Sequence, residues 1–162
     1  MEYRKMGRGG DVSLLGFGCM RFPTKNKKID EPAAAALLER AVEAGINYFD
    51  TAWPYHDGLS EEFTGRILSR YERGSYKLAT KLPVWLVEST GDVRRFVSLQ
   101  LERLKTDYID FYLLHALNGE RWTQLEKLGV YAELEALRNE GVIKNIGFSF
   151  HDGYEAFELI LR

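Results

Sequence analysis

Apolar positions along this chain alternate between two spacings. INYFDTA, YKLATKLP (76–83), YIDFYLLHAL (108–117) and VIKNIGFSF (142–150) are short runs with apolar residues on both parities. Such runs suit strands buried on both faces. Between them the apolar residues recur at helical spacing: Ala34, Leu37, Leu38, Ala41 and Val42; Phe63, Ile67 and Tyr71; Val93, Phe96, Val97, Leu101 and Leu104; Val130, Leu134 and Leu137. An earlier run, VSLLGFGCMRF (12–22), reads as a first strand passing into a loop, and YEAFELILR opens a fifth helix.

Local signals place the boundaries. Asp30 is a natural N-cap with Pro32 in the first turn, and Gly45 and Gly141 sit where helices end. Ser60 is expected to cap the second helix, and Pro83 stops the third strand. YRKMG and VSLLG, joined by Arg8-Gly9-Gly10-Asp11, predict a small N-terminal hairpin, whereas TKNKKID reads as a charged loop.

Five strand–helix units imply a parallel α/β sheet. An open doubly wound sheet would fit, and so would a (β/α)8 barrel cut short, since a whole barrel takes ~250 residues. The sequence stops at Leu159-Ile160-Leu161-Arg162, on the apolar face of an amphipathic helix. The expectation is therefore a single domain over 1–162, the N-terminal part of a truncated TIM barrel of about five βα units. Its two unpaired edges would favour self-association.

Composition narrows the function. A formal charge of −2 gives no electrostatic case for nucleic acid or an anionic membrane. The lone cysteine, Cys19, excludes an internal disulfide and a cysteine-ligated metal cluster. No run of ~18 apolar residues suggests a membrane span, and the N-terminus lacks an apolar signal region, so a cytoplasmic location is expected.

Parallel strands present ligands at their carboxyl ends. Those ends carry Cys19 and Met20, then Asp50, Tyr55 and His56, then Lys81, His115, Ser149 and His151. By the period-two rule Asp50 shares a face with Tyr48, Lys81 with Ala79, and His115 with Leu113 and Phe111. If those faces point inward, an acid, a lysine and a histidine converge, and the loop can bring Tyr55 over them. Singly, each has a structural reading: a turn cap, a rim aromatic, a solvated lysine, a satisfied histidine. Together they suit proton transfer to a carbonyl oxygen. A cation about 4 Å from a phenolate stabilises it by ~4 kcal/mol at an effective dielectric of ~20. Two other readings stay open. His56, His115 and His151, with Asp50, Asp57 and Asp152 nearby, could serve a metal-dependent hydrolase, although no H-x-H or H-E-x-x-H pair is present. A half-barrel could also act as a non-catalytic binding or regulatory subunit. GFGCMR (16–21) has Arg21 in place of a third glycine and no immediate helix, so it is not a dinucleotide fingerprint.

FDTAWPYHDG, ATKLP, DFYLLHAL and NIGFSF together resemble the N-terminal half of an aldo-keto reductase. The resemblance implies a (β/α)8 barrel that reduces aldehydes and ketones with NADPH. It places the family's catalytic tetrad on Asp50, Tyr55, Lys81 and His115, with Tyr55 the proton donor. Cys19, Met20, Asp50 and Ser149 are the expected cofactor contacts. Ser149 matches the family serine that holds the nicotinamide carboxamide, but Phe150 replaces the asparagine beside it. GFSFHD is more similar to a microbial branch whose full-length members carry a C-terminal ferredoxin-like iron–sulfur domain. The phosphate-binding loops of the family lie beyond this sequence, so an incomplete cofactor site is expected.

Overall fold

The computed structural model describes residues 1–162, the side chain of Arg8 excepted. The chain opens with the expected hairpin, β1 (Tyr3–Lys5) antiparallel to β2 (Asp11–Ser13). Gly9 packs against the Phe111 ring so closely that a side chain there would collide with it. The hairpin therefore lies across the amino end of the sheet. Asn47 ties it down by accepting from the Ser13 N–H at 2.8 Å.

The charged stretch is not a plain loop. β4 (Thr24–Lys25) and β5 (Lys28–Ile29) pair there around Asn26 and Lys27, both left-handed at φ 54° and 63°. Two left-handed residues are what a two-residue hairpin turn demands, and the missing glycine hides that signal from the sequence.

The main sheet is parallel throughout, in the order β3 (Phe17–Gly18), β6 (Tyr48–Asp50), β7 (Lys77–Leu82), β8 (Ile109–Leu117) and β9 (Ile143–Phe150). Its register sets Asp50 level with Ala79, Ala79 with Phe111, and Phe111 with Asn145. The Tyr48 and Phe111 rings meet at 5.3 Å on the inner face, so the expected parity holds.

The helices are α1 (Glu31–Glu43), α2 (Ser60–Leu68), α3 (Thr90–Leu104), α4 (Gly119–Lys127), α5 (Val130–Asn139) and α6 (Tyr154–Leu161). Leu38, Phe49, Ile67, Leu78 and Leu104 form one buried cluster behind β6 and β7. Phe96, Ile109, Tyr112, Leu134 and Leu137 form the other, behind β7 to β9. Asp30 caps α1 as expected, accepting from the Ala33 N–H at 3.4 Å, and Gly45 follows it at φ 85°.

Helix α2 differs from expectation at both ends, stopping at Leu68 short of Tyr71. Ser60 does not cap α2, because Leu59 is the N-cap residue. The Ser60 hydroxyl is buried instead, 2.9 Å from Thr51 Oγ1, and donates to the Cys19 carbonyl at 3.0 Å. The helix α4 was not expected. Asn118 caps it, its side chain accepting from the Arg121 N–H at 2.8 Å.

Helices α2 and α3 cross at Gly65, where an added Cβ would sit 2.5 Å from the Arg103 carbonyl oxygen and the Leu104 backbone. Backbone cannot yield as a flexible side chain can. Gly65→Ala is expected to destabilise the protein by about 3 kcal/mol, measured by urea unfolding.

Candidate active site

Three adjacent strands and one loop supply the site. Lys81, on the inner face of β7, is only 4% exposed. Its Nζ donates to Asp50 Oδ1 at 2.6 Å and to the Thr51 carbonyl at 2.7 Å. It also lies 4.8 Å from the centroid of the Tyr55 ring. Burial raises the Asp50 carboxyl above its usual value, and the Lys81 ammonium draws part of that shift back.

Behind Lys81, on the outer face of β7, runs a polar network whose Glu61, Thr80 and Gln100 are fully buried. Glu61 Oε1 accepts from Thr80 Oγ1 at 2.6 Å and from Gln100 Nε2 at 2.5 Å. Gln100 also donates to the Lys81 carbonyl at 3.0 Å and accepts from Tyr112 Oη at 2.6 Å. Arg103 closes the set, 3.2 Å from Glu61 Oε2 and stacked 3.6 Å from the Trp53 ring. Burial pushes the Glu61 carboxyl upward, a shift opposed by these donors. The backbone from which Lys81 projects is thus held from the far side of the sheet.

Tyr55 is presented by an unusual turn. His56, Asp57 and Gly58 are all left-handed, at φ 53°, 55° and 86°. Each non-glycine residue in that region costs roughly 1–2 kcal/mol, and the turn returns hydrogen bonds. The Tyr55 carbonyl accepts from Gly58 N–H at 3.2 Å and Ser60 N–H at 3.1 Å. His56 Nε2 accepts from the Phe22 N–H at 3.0 Å and its ring stacks on Phe22 at 5.5 Å. This histidine fastens the loop to the segment after β3.

His115, near the end of β8, meets Tyr55 edge-on at 5.8 Å between ring centroids and Trp85 at 5.2 Å. Burial first, then the charges of Lys81, His151 and Arg121, push its imidazole down to about 4. It is therefore neutral at physiological pH. Its Nδ1 is buried with no hydrogen-bond partner among the described residues.

Beside it the β8–β9 register shifts, Ala116 turns left-handed at φ 50°, and its N–H donates to Ser149 Oγ at 2.7 Å. Ser149 thus stands at the mouth with its own hydroxyl hydrogen available to donate. A cleft of about 520 Å³ opens over these groups, walled by Met20, Pro54, Tyr55, His56, Trp85, His115, Ala116 and Arg121.

The structure brings together Asp50, Tyr55, Lys81, His115, Ser149 and Met20. Cys19 is set apart: its thiol is fully buried in the core and burial pushes it up to about 12. It presents no side chain to a cofactor, because the turn after β3 points Met20 outward and Cys19 inward. His151 is exposed, and Asp152 Oδ2 accepts from the Gly119 N–H at 3.0 Å. Among the described residues no three His, Cys, Asp or Glu side chains gather as a metal site. Sequence reasoning missed Arg121 together with α4; the Asn118-Gly-Glu start, a capping residue followed by a first-turn acid, was the available signal.

Residues 14–161 match the Aldo/keto reductase family. The chain belongs to this family. It is 36% identical to the Bacillus subtilis oxidoreductase YqkF over 92% of its length, covering 49% of that protein. It is 31% identical to the Schizosaccharomyces pombe aldo-keto reductase yakc [NADP(+)], covering 90% of this chain and 44% of that one. An aldo-keto reductase from Bacillus halodurans, solved in its holo form, superposes with a TM-score of 0.78 at 36% identity, over 93% of this chain and 50% of that one. The chain thus spans about half the length of the curated aldo-keto reductases it matches, and its open parallel sheet is a partial (β/α)8 barrel. None of its helices is long and apolar enough to cross a membrane among the described residues.

Asp50→Ala leaves the Lys81 ammonium buried without its counter-ion and is expected to cost about 3 kcal/mol in urea unfolding. His115, at about 4 when folded, should titrate well below the ~6.5 of a free imidazole. The unfolded state then binds the proton more readily, so the stability tied to this group is complete above pH ~6.5 and is lost as pH falls through the folded value. NMR titration of the ring should find that low midpoint, and His115→Gln should flatten the stability loss in the same window.

Proposed function

We propose that the protein reduces aldehyde or ketone carbonyls with NADPH, Tyr55 delivering the proton to the carbonyl oxygen. The observation that carries this reading is the contact set at the open end of the sheet. Lys81, bonded to Asp50, lies against the ring of Tyr55, and Tyr55 lies against His115. Asp50 fixes the lysine in direction. That cation favours the negative charge left on the phenolic oxygen as its proton departs. Neutral His115 offers the carbonyl oxygen a hydrogen bond and orients it without adding a competing charge. Trp85 and Met20 line the cleft beside the reacting end.

A bound nicotinamide would supply the hydride. The residues present suit its carboxamide end: the Ser149 hydroxyl and the unpaired Nδ1 of His115 stand at neighbouring strand ends. The NADP named for the S. pombe relative supports the phosphorylated form of the cofactor.

The test is NADPH consumption with 4-nitrobenzaldehyde, comparing the unaltered chain with Tyr55→Phe. The substitution should lower kcat by roughly 10²–10⁴-fold while circular dichroism and thermal unfolding stay the same. Turnover that survives in the phenylalanine variant would remove Tyr55 as the proton donor.

A further inference from the structure

Among the described residues, the cleft wall holds one cation that the proton-transfer group does not use. Arg121 lies in the first turn of α4, half-buried, in the same wall as Tyr55 and His115. Its Nη1 donates to the Ala116 carbonyl at 2.6 Å, and its guanidinium carbon lies 5.7 Å from the centroid of the Trp85 ring. Among the described residues it makes no ion pair. The arginines of α3 behave otherwise: Arg94 pairs with Glu133 and Glu140, Arg95 with Asp92, and Arg103 with Glu61.

The guanidinium is also aimed. The peptide unit that holds it belongs to the left-handed Ala116, whose N–H is bound by Ser149. The β8–β9 irregularity therefore fixes both the direction of Arg121 and the position of the residue next to His115. A partly desolvated guanidinium with one carbonyl partner has most of its donors still to satisfy. Its planar fork suits a carboxylate, which it can grip through two parallel hydrogen bonds.

We propose that Arg121 binds a carboxylate on the substrate, so that the site prefers oxo-acids: aldehydes or ketones with a carboxylate a few bonds from the carbonyl. This rests on the carbonyl-reduction reading above. In such a pose the carbonyl sits between Tyr55 and His115, the connecting carbons pass the Trp85 face, and the carboxylate meets Arg121.

Matched substrates separate charge from shape: 4-formylbenzoate against benzaldehyde, and 4-oxobutanoate against butanal. The ratio of kcat/KM, acid over neutral, should exceed one. Arg121→Gln should lower that ratio by roughly ten- to a hundredfold, the scale of a charge-assisted contact. Arg121→Lys should recover only part of it, because an ammonium lacks the fork. A ratio unchanged by Arg121→Gln overturns the proposal. So does an unchanged ratio accompanied by weaker NADPH binding, which would assign Arg121 to a cofactor phosphate. Calorimetric titration with benzoate and benzamide, without cofactor, reads the site independently of turnover. Benzoate should bind more tightly than benzamide, and Arg121→Gln should abolish that difference. If no aldehyde is reduced, the carbonyl-reduction reading fails and this titration alone decides the anion site. Equal binding by both variants, or none by the unaltered chain, overturns it.

Discussion

A buried ammonium is the constraint around which this chain is arranged. Taking a lysine head group out of water costs several kcal/mol unless its protons are bound and its charge is matched. Lys81 meets that requirement from three directions: the Asp50 carboxylate, the Thr51 carbonyl and the face of Tyr55. All three belong to the end of β6 and its following loop, so satisfying the lysine also fixes where that loop leaves the sheet. Asp50 is level with Ala79, one inward position below Lys81. A slip of one residue between the strands would turn the lysine into the helical layer and the acid away from it. The ion pair and the strand register are in this sense one specification.

The opposite face of β7 repeats the arrangement. Thr80 points outward into the Glu61–Gln100–Arg103 network, and Gln100 reaches back to the carbonyl of Lys81. Glu61 comes from α2 and Gln100 from α3, whose crossing Gly65 makes possible. Helix packing is thereby coupled to the inner face through a single carbonyl oxygen. The left-handed turn at His56 and Asp57 adds a second support, anchored by His56 on the backbone of Phe22.

Much of this was legible in the sequence because it obeys short-range rules. Helical and strand periodicities located the βα units, Asp30 and Gly45 behaved as caps, and the period-two argument put Asp50, Lys81 and His115 on one face. What stayed hidden depends on contacts between distant residues. Ser60 looks like a cap by its position, yet its hydroxyl serves Thr51 and Cys19 across the fold. Glu61 lies in the first turn of α2, and its burial depends on the covering α3 far along the chain. Cys19 and Met20 are neighbours at a strand end, and only the turn between β3 and β4 decides which one faces the cleft. Arg121 escaped because the short α4 carries a single fully buried residue, Leu125, and so leaves a faint apolar period.

The inner-face chemistry also has a simple relation to the order of the chain. Asp50, Tyr55, Lys81 and His115 come from three consecutive, mutually bonded strands and the loop after the first, and their outer support comes from the two helices between those strands. These four residues are therefore encoded in a contiguous stretch of gene rather than in scattered parts. Exchange of sequence beyond β8 can replace neighbouring loops while this stretch is inherited whole.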